Sequence, residues 1–176
     1  MRIARGFSLV EIMTVIAFIS IMMAITFVSF SGKRDETALN VAAREVAAAV
    51  RVAQNNALSG VKERGNDNGL CFHTAEGKSS NVYDLSVTHL KNGSGRVCGT
   101  TTDMEDFSLG VYTLENGVTF ASPTWEVSFG VPRGEVLGGA DQGIVLQKSG
   151  KYSAVCVLAS GVVIEKSVSS SVPSCP

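Results

Sequence analysis

Apolar residues are concentrated at the N-terminal end of the chain, where they form one long segment. Residues 7–30 contain 18 apolar side chains among 24, and Glu11 is the one charged residue in that segment. As an α-helix with a rise of about 1.5 Å per residue, the segment extends roughly 36 Å, more than the hydrocarbon thickness of about 30 Å. Its apolar side chains occur on all sides of this helix, as expected when every face meets lipid or protein. We therefore predict a membrane-spanning helix over residues 7–30, with Arg2 and Arg5 favouring a cytoplasmic N-terminus.

The pattern becomes amphipathic after this segment. Apolar residues recur at steps of three and four through Leu39, Val46, Val50 and Ala53, with charged residues between them. This spacing predicts that the helix continues over residues 31–59, and the Ser-Gly pair at positions 59 and 60 is typical of a helix C-terminus.

From residue 60 onward the apolar period changes to two, and Gly, Ser and Asn separate short runs. We predict a loop over residues 93–108 and an irregular tail over residues 168–176. A helix followed by a run of strands indicates an α+β fold, in which a long N-terminal α-helix packs on an antiparallel β-sheet head formed by residues 60–176. The predicted strands cover residues 70–74, 82–89, 111–114, 118–120, 125–129, 144–147, 152–158 and 162–167.

Glu11 is the unusual residue of the apolar segment. A carboxylate near the hydrocarbon boundary costs a few kcal/mol unless it is neutralised or paired, so such a group suggests a function. One interpretation is that Glu11 reaches the lipid headgroups. Another is that it pairs with an amine created at Phe7, which lies four residues earlier on the same helical face.

The residues around Glu11 resemble a known signal. Arg5, Gly6, Phe7, a small hydroxyl residue, two apolar residues and Glu11, followed by a long apolar helix, resemble the prepilin signal of type IV pilins and type II secretion pseudopilins. The resemblance implies that residues 1–6 are a leader peptide. It also implies that a prepilin peptidase cleaves between Gly6 and Phe7 and methylates the new Phe7 amine. Glu11 then pairs with the Phe7 amine of a neighbouring subunit, since two opposite charges in a low-dielectric filament core neutralise each other.

The second half of the chain extends the resemblance in outline. The alanine-rich helix over residues 42–58 and the strands around Cys71, Val127 and Gly161 are similar to minor pilins and H-type pseudopilins of the FimT/GspH group. This group implies a pilin fold and a structural minor pilin, located at or near the tip of a type IV pilus or active in assembly initiation. The partners would be the prepilin peptidase, the major pilin, other minor pilins and the inner-membrane assembly machinery. The implied location is the bacterial inner membrane, with a periplasmic head, and afterwards the filament.

Two related functions remain as alternatives, an H-type pseudopilin of a type II secretion system and a DNA-uptake receptor. Residues 60–176 carry nine Lys and Arg against twelve Asp and Glu. This excess of acidic residues makes the head a poor binder of nucleic acid, although a local basic patch around Lys148, Lys151 and Lys166 would favour it. An ordinary cleaved secretory signal is a further alternative, with Ser29-Phe30-Ser31 as its cleavage site.

All four cysteines follow the apolar segment, at positions 71, 98, 156 and 175. In an oxidising compartment an even number of cysteines is typical of disulfides, and four cysteines allow three connectivities. We favour Cys71–Cys98 and Cys156–Cys175, since each pair closes a local loop. A zinc site is the competing interpretation, but the chain has no C-x-x-C pair.

The sequence contains no motif typical of an enzyme, and we predict a non-enzymatic protein without cofactor or metal. His73 and His89 stand singly within predicted strands and are interpreted as sheet residues. Asp103, Glu105 and Asp106 form a short acidic cluster, which is interpreted as a solvated surface, with a calcium site as the alternative.

Overall fold

The computed structural model describes residues 8–61, 69–90, 98 and 104–176, with the side chains of residues 25–31 left out of the description. Helix α1 covers Leu9–Ser59, 51 residues in all. It ends where the Ser-Gly pair predicts, because Gly60 adopts a left-handed conformation with a φ of 63°. In this conformation the Gly60 N–H donates to the carbonyl of Ala57, and the Val61 N–H donates to that of Asn56.

The strands form two antiparallel sheets of four strands each. Sheet I has the order β3-β2-β1-β5 and sheet II has the order β4-β6-β7-β8. The strands are β1 (Leu70–Gly77), β2 (Val82–Leu90), β3 (Met104–Thr113), β4 (Thr119–Phe120), β5 (Glu126–Gly130), β6 (Gln142–Lys148), β7 (Lys151–Val157) and β8 (Val163–Ser169).

The core lies between the C-terminal half of α1 and both sheets. The helix contributes buried Leu39, Val46 and Val50 together with a series of buried alanines, whose small side chains allow the sheets to approach closely. Sheet I contributes Phe129 among others, and sheet II contributes Leu146. One hydrophobic core therefore joins all three layers.

The predicted fold class is wrong about the sheet. The alternating pattern of the strands predicted one antiparallel sheet, but sheet II is separate from sheet I. Alternation shows only that one face of a strand is buried, whereas the choice of partner strands depends on contacts distant in the chain. In sheet I, β5 pairs with β1, more than fifty residues earlier, while β6, β7 and β8 pair in succession.

The prediction that the first half of the long helix spans a membrane is also corrected. Among the residues that the structure describes, no helix is both long enough and apolar enough to cross a membrane. The described apolar side chains of the N-terminal part run from Leu9 to Ala24. The rest of the predicted span, Phe7 and the side chains of residues 25–30, lies outside the described residues.

The predicted loop over residues 93–108 is corrected in its last part, where β3 begins at Met104. This strand carries polar residues at consecutive positions such as Glu105 and Asp106, so it lacks the period-two pattern that marks a half-buried strand. It exists because β2 pairs with it from Leu90 to Val82. The remainder of the predicted loop lies outside the described residues, apart from Cys98.

Candidate assembly surface

The N-terminal part of α1 extends away from the core with its apolar side chains in solvent. Every side chain from Ser8 to Ala24 is exposed. Large apolar side chains of this segment are 50% to 71% exposed: Leu9, Val10, Ile12, Met13, Val15, Ile16, Phe18, Ile19, Ile21, Met22 and Met23. We call residues 8–24 the projecting segment.

Such a surface is energetically costly in water. Burying one large apolar side chain contributes about 1.5–3 kcal/mol, so covering the projecting segment would be worth on the order of 20 kcal/mol. Exposed apolar surfaces larger than a few hundred Å² mark sites of interaction with proteins or membranes. The projecting segment is therefore the strongest candidate for a functional surface among the described residues.

Glu11 lies in the first turn of α1, within the projecting segment. Its backbone N–H donates to the carbonyl of Ser8 at 3.0 Å, and its carbonyl accepts from the Thr14 hydroxyl at 2.9 Å. No salt bridge joins its carboxylate to any other residue that the structure describes. The structure thus places this acid on the exposed apolar helix, while Gly6 and Phe7, the predicted cleavage site, lie outside the described residues.

Two lysines hold the helix where it leaves the core. Lys148 Nζ lies 3.0 Å from Asp35 Oδ1, and Lys151 Nζ lies 2.7 Å from Glu36 Oε1. Lys151 Nζ also donates to the carbonyl of Gly32 at 3.2 Å. The Lys148 ammonium beside Asp35 lowers the pKa of that carboxyl. Lys148 is the last residue of β6 and Lys151 the first of β7, so the two lysines flank the turn of the β6–β7 hairpin. We call Lys148 and Lys151 the lysine clamp.

The lysine clamp changes the interpretation of the basic patch. From the sequence, Lys148 and Lys151 were candidate contacts for DNA, but in the structure both ammonium groups are paired with acids of α1. Their charge is therefore largely neutralised within the chain. The two acids, Asp35 and Glu36, are visible in the sequence. No local pattern relates them to the lysines, which lie more than one hundred positions later in the chain.

Further contacts hold the C-terminal half of α1 on the sheets. Arg51 lies 3.2 Å from Glu165 of β8. Gln54 Nε2 donates to the carbonyls of Gly134 at 3.3 Å and Gly161 at 3.1 Å, which are in loops following β5 and β7. These polar contacts at the rim of the core fix the rotation of the helix about its axis, and hence which of its faces is turned towards the sheets.

The cysteines form the two disulfides that the sequence analysis favours, Cys71–Cys98 and Cys156–Cys175. The second joins β7 to the C-terminal tail, with Cys175 lying against β6 beside Gly143. The zinc interpretation is wrong, since all four thiols are used in disulfides.

The remaining candidate residues lie apart from the projecting segment. His73 and His89 are buried in sheet I. Glu105 and Asp106 of the acidic cluster are in β3, and Asp103 lies outside the described residues. Within the described part of the chain, no three His, Cys, Asp or Glu side chains are arranged to hold a metal ion.

Comparison of the sequence with protein-family models and with curated proteins finds no match, and comparison of the fold with solved structures finds none either. The functional interpretation therefore depends on the projecting segment and on the motif that contains Glu11.

Proposed function

We propose that this protein is a structural subunit of a type IV pilus, a minor pilin that joins other subunits through its N-terminal helix. The observation that carries this proposal is the projecting segment, an apolar helix exposed on all sides and continuous with a helix anchored in the core. A filament core made of packed helices would bury such a surface on every side. A flat interface with one partner would cover one stripe only.

The position of Glu11 supports a filament rather than a simple hydrophobic anchor. An anchor requires apolar surface alone, and an acid in its first turn weakens it. In a filament, removal of residues 1–6 would create an amine at Phe7, and the Glu11 carboxylate of one subunit would pair with the amine of the next. Because a buried charge is costly without its partner, this pair would define the axial register of adjacent helices.

The proposal assigns partners to each part of the chain. A prepilin peptidase would cleave between Gly6 and Phe7 and methylate the Phe7 amine. The projecting segment would pack against the major pilin and other minor pilins, delivered by inner-membrane assembly machinery. The head would lie on the outside of the filament, at or near the tip, where a minor subunit can initiate assembly.

The first experiment replaces Glu11 by alanine in the strain that produces the protein. Filaments are sheared from the cells, and the fraction of the subunit that they contain is compared with the total by immunoblot. We expect Glu11→Ala to reduce incorporation at least tenfold, because its neighbour's amine would be left buried and unpaired. The intact mass should still show loss of Met1–Gly6 and gain of one methyl group.

Thr14→Ala is the matched control, one turn further along the same helix. It removes a polar side chain from the projecting segment without changing charge, and incorporation should remain normal. Normal incorporation of Glu11→Ala would exclude the pairing role. A mature chain that begins near Gly32 would exclude the whole proposal, since an ordinary signal peptidase would then have removed the projecting segment.

A further inference from the structure

A groove of about 230 Å³ lies on the face of sheet I that is turned away from α1. Three carboxylates line it, those of Glu76 on β1, Asp106 on β3 and Glu126 on β5. Glu76 and Glu126 are directly opposite each other in the β1–β5 pair, and Asp84 lies opposite Glu76 on its other side. Like charges in facing positions destabilise a sheet, so this row of acids is unfavourable in the isolated chain.

One cation partly offsets this charge. Lys78 forms an ion pair with Glu76, and the surrounding acids raise the pKa of its ammonium group. Of the described salt bridges, none involves Asp84, Asp106 or Glu126. The three carboxylates that line the groove, offset by Lys78, therefore leave a net negative charge of about two units.

Hydroxyl groups between these acids direct their protons to the carboxylates. Thr88 Oγ1 donates to Asp106. Ser128 Oγ donates to Glu126 Oε1 at 3.0 Å, so it must accept the proton of Thr74 Oγ1, which lies 2.8 Å away. Because each hydroxyl has a single proton, these groups present only lone pairs to an occupant. An occupant of the groove must therefore be a hydrogen-bond donor.

Ser86 is the exception, because its hydroxyl is without a partner in the part of the chain that the structure describes. It lies in the floor of the groove between Thr74 and Thr88, and its residue is 95% buried. This hydroxyl is not among the described side-chain atoms that are both fully buried and without a hydrogen bond, so it is open to the groove. A ligand that enters the groove would replace water as its hydrogen-bond partner.

The size of the groove restricts that occupant. Sites for small molecules and cofactors measure about 300–1,000 Å³, more than this groove provides. One long side chain from another protein is a better fit. Phe72 and Met104 line the end of the groove away from Glu76, where they can contact apolar or aromatic-stacking parts of that side chain.

We propose that the groove binds an arginine side chain presented by a partner protein. A guanidinium group carries five N–H donors and no acceptor, which matches a lining of carboxylates and hydroxyl lone pairs. Its plane also stacks on aromatic faces such as that of Phe72, which an ammonium group does less well. This inference does not rest on the proposed function, because the groove is on the head, away from the projecting segment.

The test uses the full ¹⁵N-labelled chain in non-ionic detergent and the blocked peptide acetyl-Gly-Arg-Gly-amide. Amide chemical shifts of Ser86 and Thr88 are followed during titration. We expect saturable shifts with a dissociation constant in the millimolar range, weaker binding of the lysine peptide, and none of the peptide with neutral citrulline. Equal binding of the arginine and citrulline peptides would overturn the proposal.

Asp106→Asn should weaken binding about tenfold, as expected for loss of one charge-assisted hydrogen bond. Glu105→Gln is the matched control, since it removes the same charge from the neighbouring position of β3, whose side chain points to the opposite face. Its binding should be unchanged, and an equal loss in both variants would show only a general charge effect and contradict the proposal. Calcium ions that shift the same amides and displace the peptide would identify a cation site instead.

Discussion

His73 is a titratable side chain buried in sheet I. It is 1% exposed, and its Nε2–H donates to the carbonyl of Val61 at 2.9 Å. Its Nδ1 has no hydrogen-bond partner among the described residues. Burial lowers the pKa of this imidazole, and the neighbouring His89 lowers it further, although the bond to Val61 acts in the opposite direction. The side chain is therefore held in its neutral form.

This lowered pKa makes folding stability depend on pH. The unfolded chain binds a proton at His73 near pH 6.5, whereas the folded chain resists it. The stabilising contribution is thus complete above pH 6.5 and is lost as the pH falls from 6.5 towards the folded pKa. The free energy of unfolding should decrease with a slope of at most about 1.4 kcal/mol per pH unit from this residue.

Chemical unfolding of the full chain in non-ionic detergent, between pH 7.5 and pH 5, measures this slope. His73→Gln keeps a polar side chain that does not titrate, so its curve should be flatter over the same range. An unchanged slope in His73→Gln would assign the pH dependence to other groups.

At the scale of elements, α1 offers a direct comparison between its buried and exposed faces. Val46 is fully buried against the sheets, and Val41 is 54% exposed on the same helix. Val46→Ala leaves a cavity and should lower the free energy of unfolding by about 2 kcal/mol. Val41→Ala removes the same atoms from solvent-exposed surface, where the higher helix propensity of alanine makes the change neutral or slightly stabilising.

Urea unfolding of both variants in the same detergent checks this expectation. Equal effects of the two substitutions would contradict the packing of α1 on the sheets. The pair also separates the loss of core contacts at Val46 from the gain in helix propensity that both substitutions share.

At the scale of the whole molecule, the Cys156–Cys175 disulfide ties the C-terminal tail to sheet II. It closes a loop with a sequence separation of 19 residues. Replacing both cysteines by alanine should lower the free energy of unfolding by about 3 kcal/mol, since the unfolded chain regains the freedom that the crosslink removes. The Cys71–Cys98 pair, with a separation of 27 residues, should give a loss of similar size when replaced in the same way.

Unfolding of the two double variants, compared with the unmodified chain under non-reducing conditions, measures both effects. Reduction of both disulfides in the unmodified chain should lower the free energy of unfolding by about the sum of the two effects. Full stability of the Cys156→Ala, Cys175→Ala variant would show that the tail contributes nothing to the fold.

Features that depend on neighbours along the chain were accessible from the sequence. The steps of three and four through Leu39, Val46 and Val50 identified the buried face of α1, and the Ser-Gly pair identified its end. The two local cysteine pairs were favoured for a similar reason, because short loops close at low entropic cost. Strand bounds were recovered within a few residues wherever apolar and polar residues alternate.

Features that depend on contacts between residues distant in the chain could not be predicted from the sequence. The separation into two sheets, the first part of β3 (before the predicted strand over residues 111–114), the lysine clamp and the acidic groove each require residues that are far apart in the chain. Ser86 illustrates the difference, since a serine in a strand is unremarkable until the neighbouring strands place it in the floor of a groove that acids line.

The sequence by itself determined the apolar segment with Glu11, the helical face that packs on the head and the positions of most strands. These properties follow from side-chain chemistry and from the fixed periods of helix and strand. Only the tertiary structure decided how the strands pair, what holds the helix where it leaves the core and which polar groups share the groove. Burial of the whole core and the pairing of charges distant in the chain determine these arrangements. No local periodicity of the sequence predicts them.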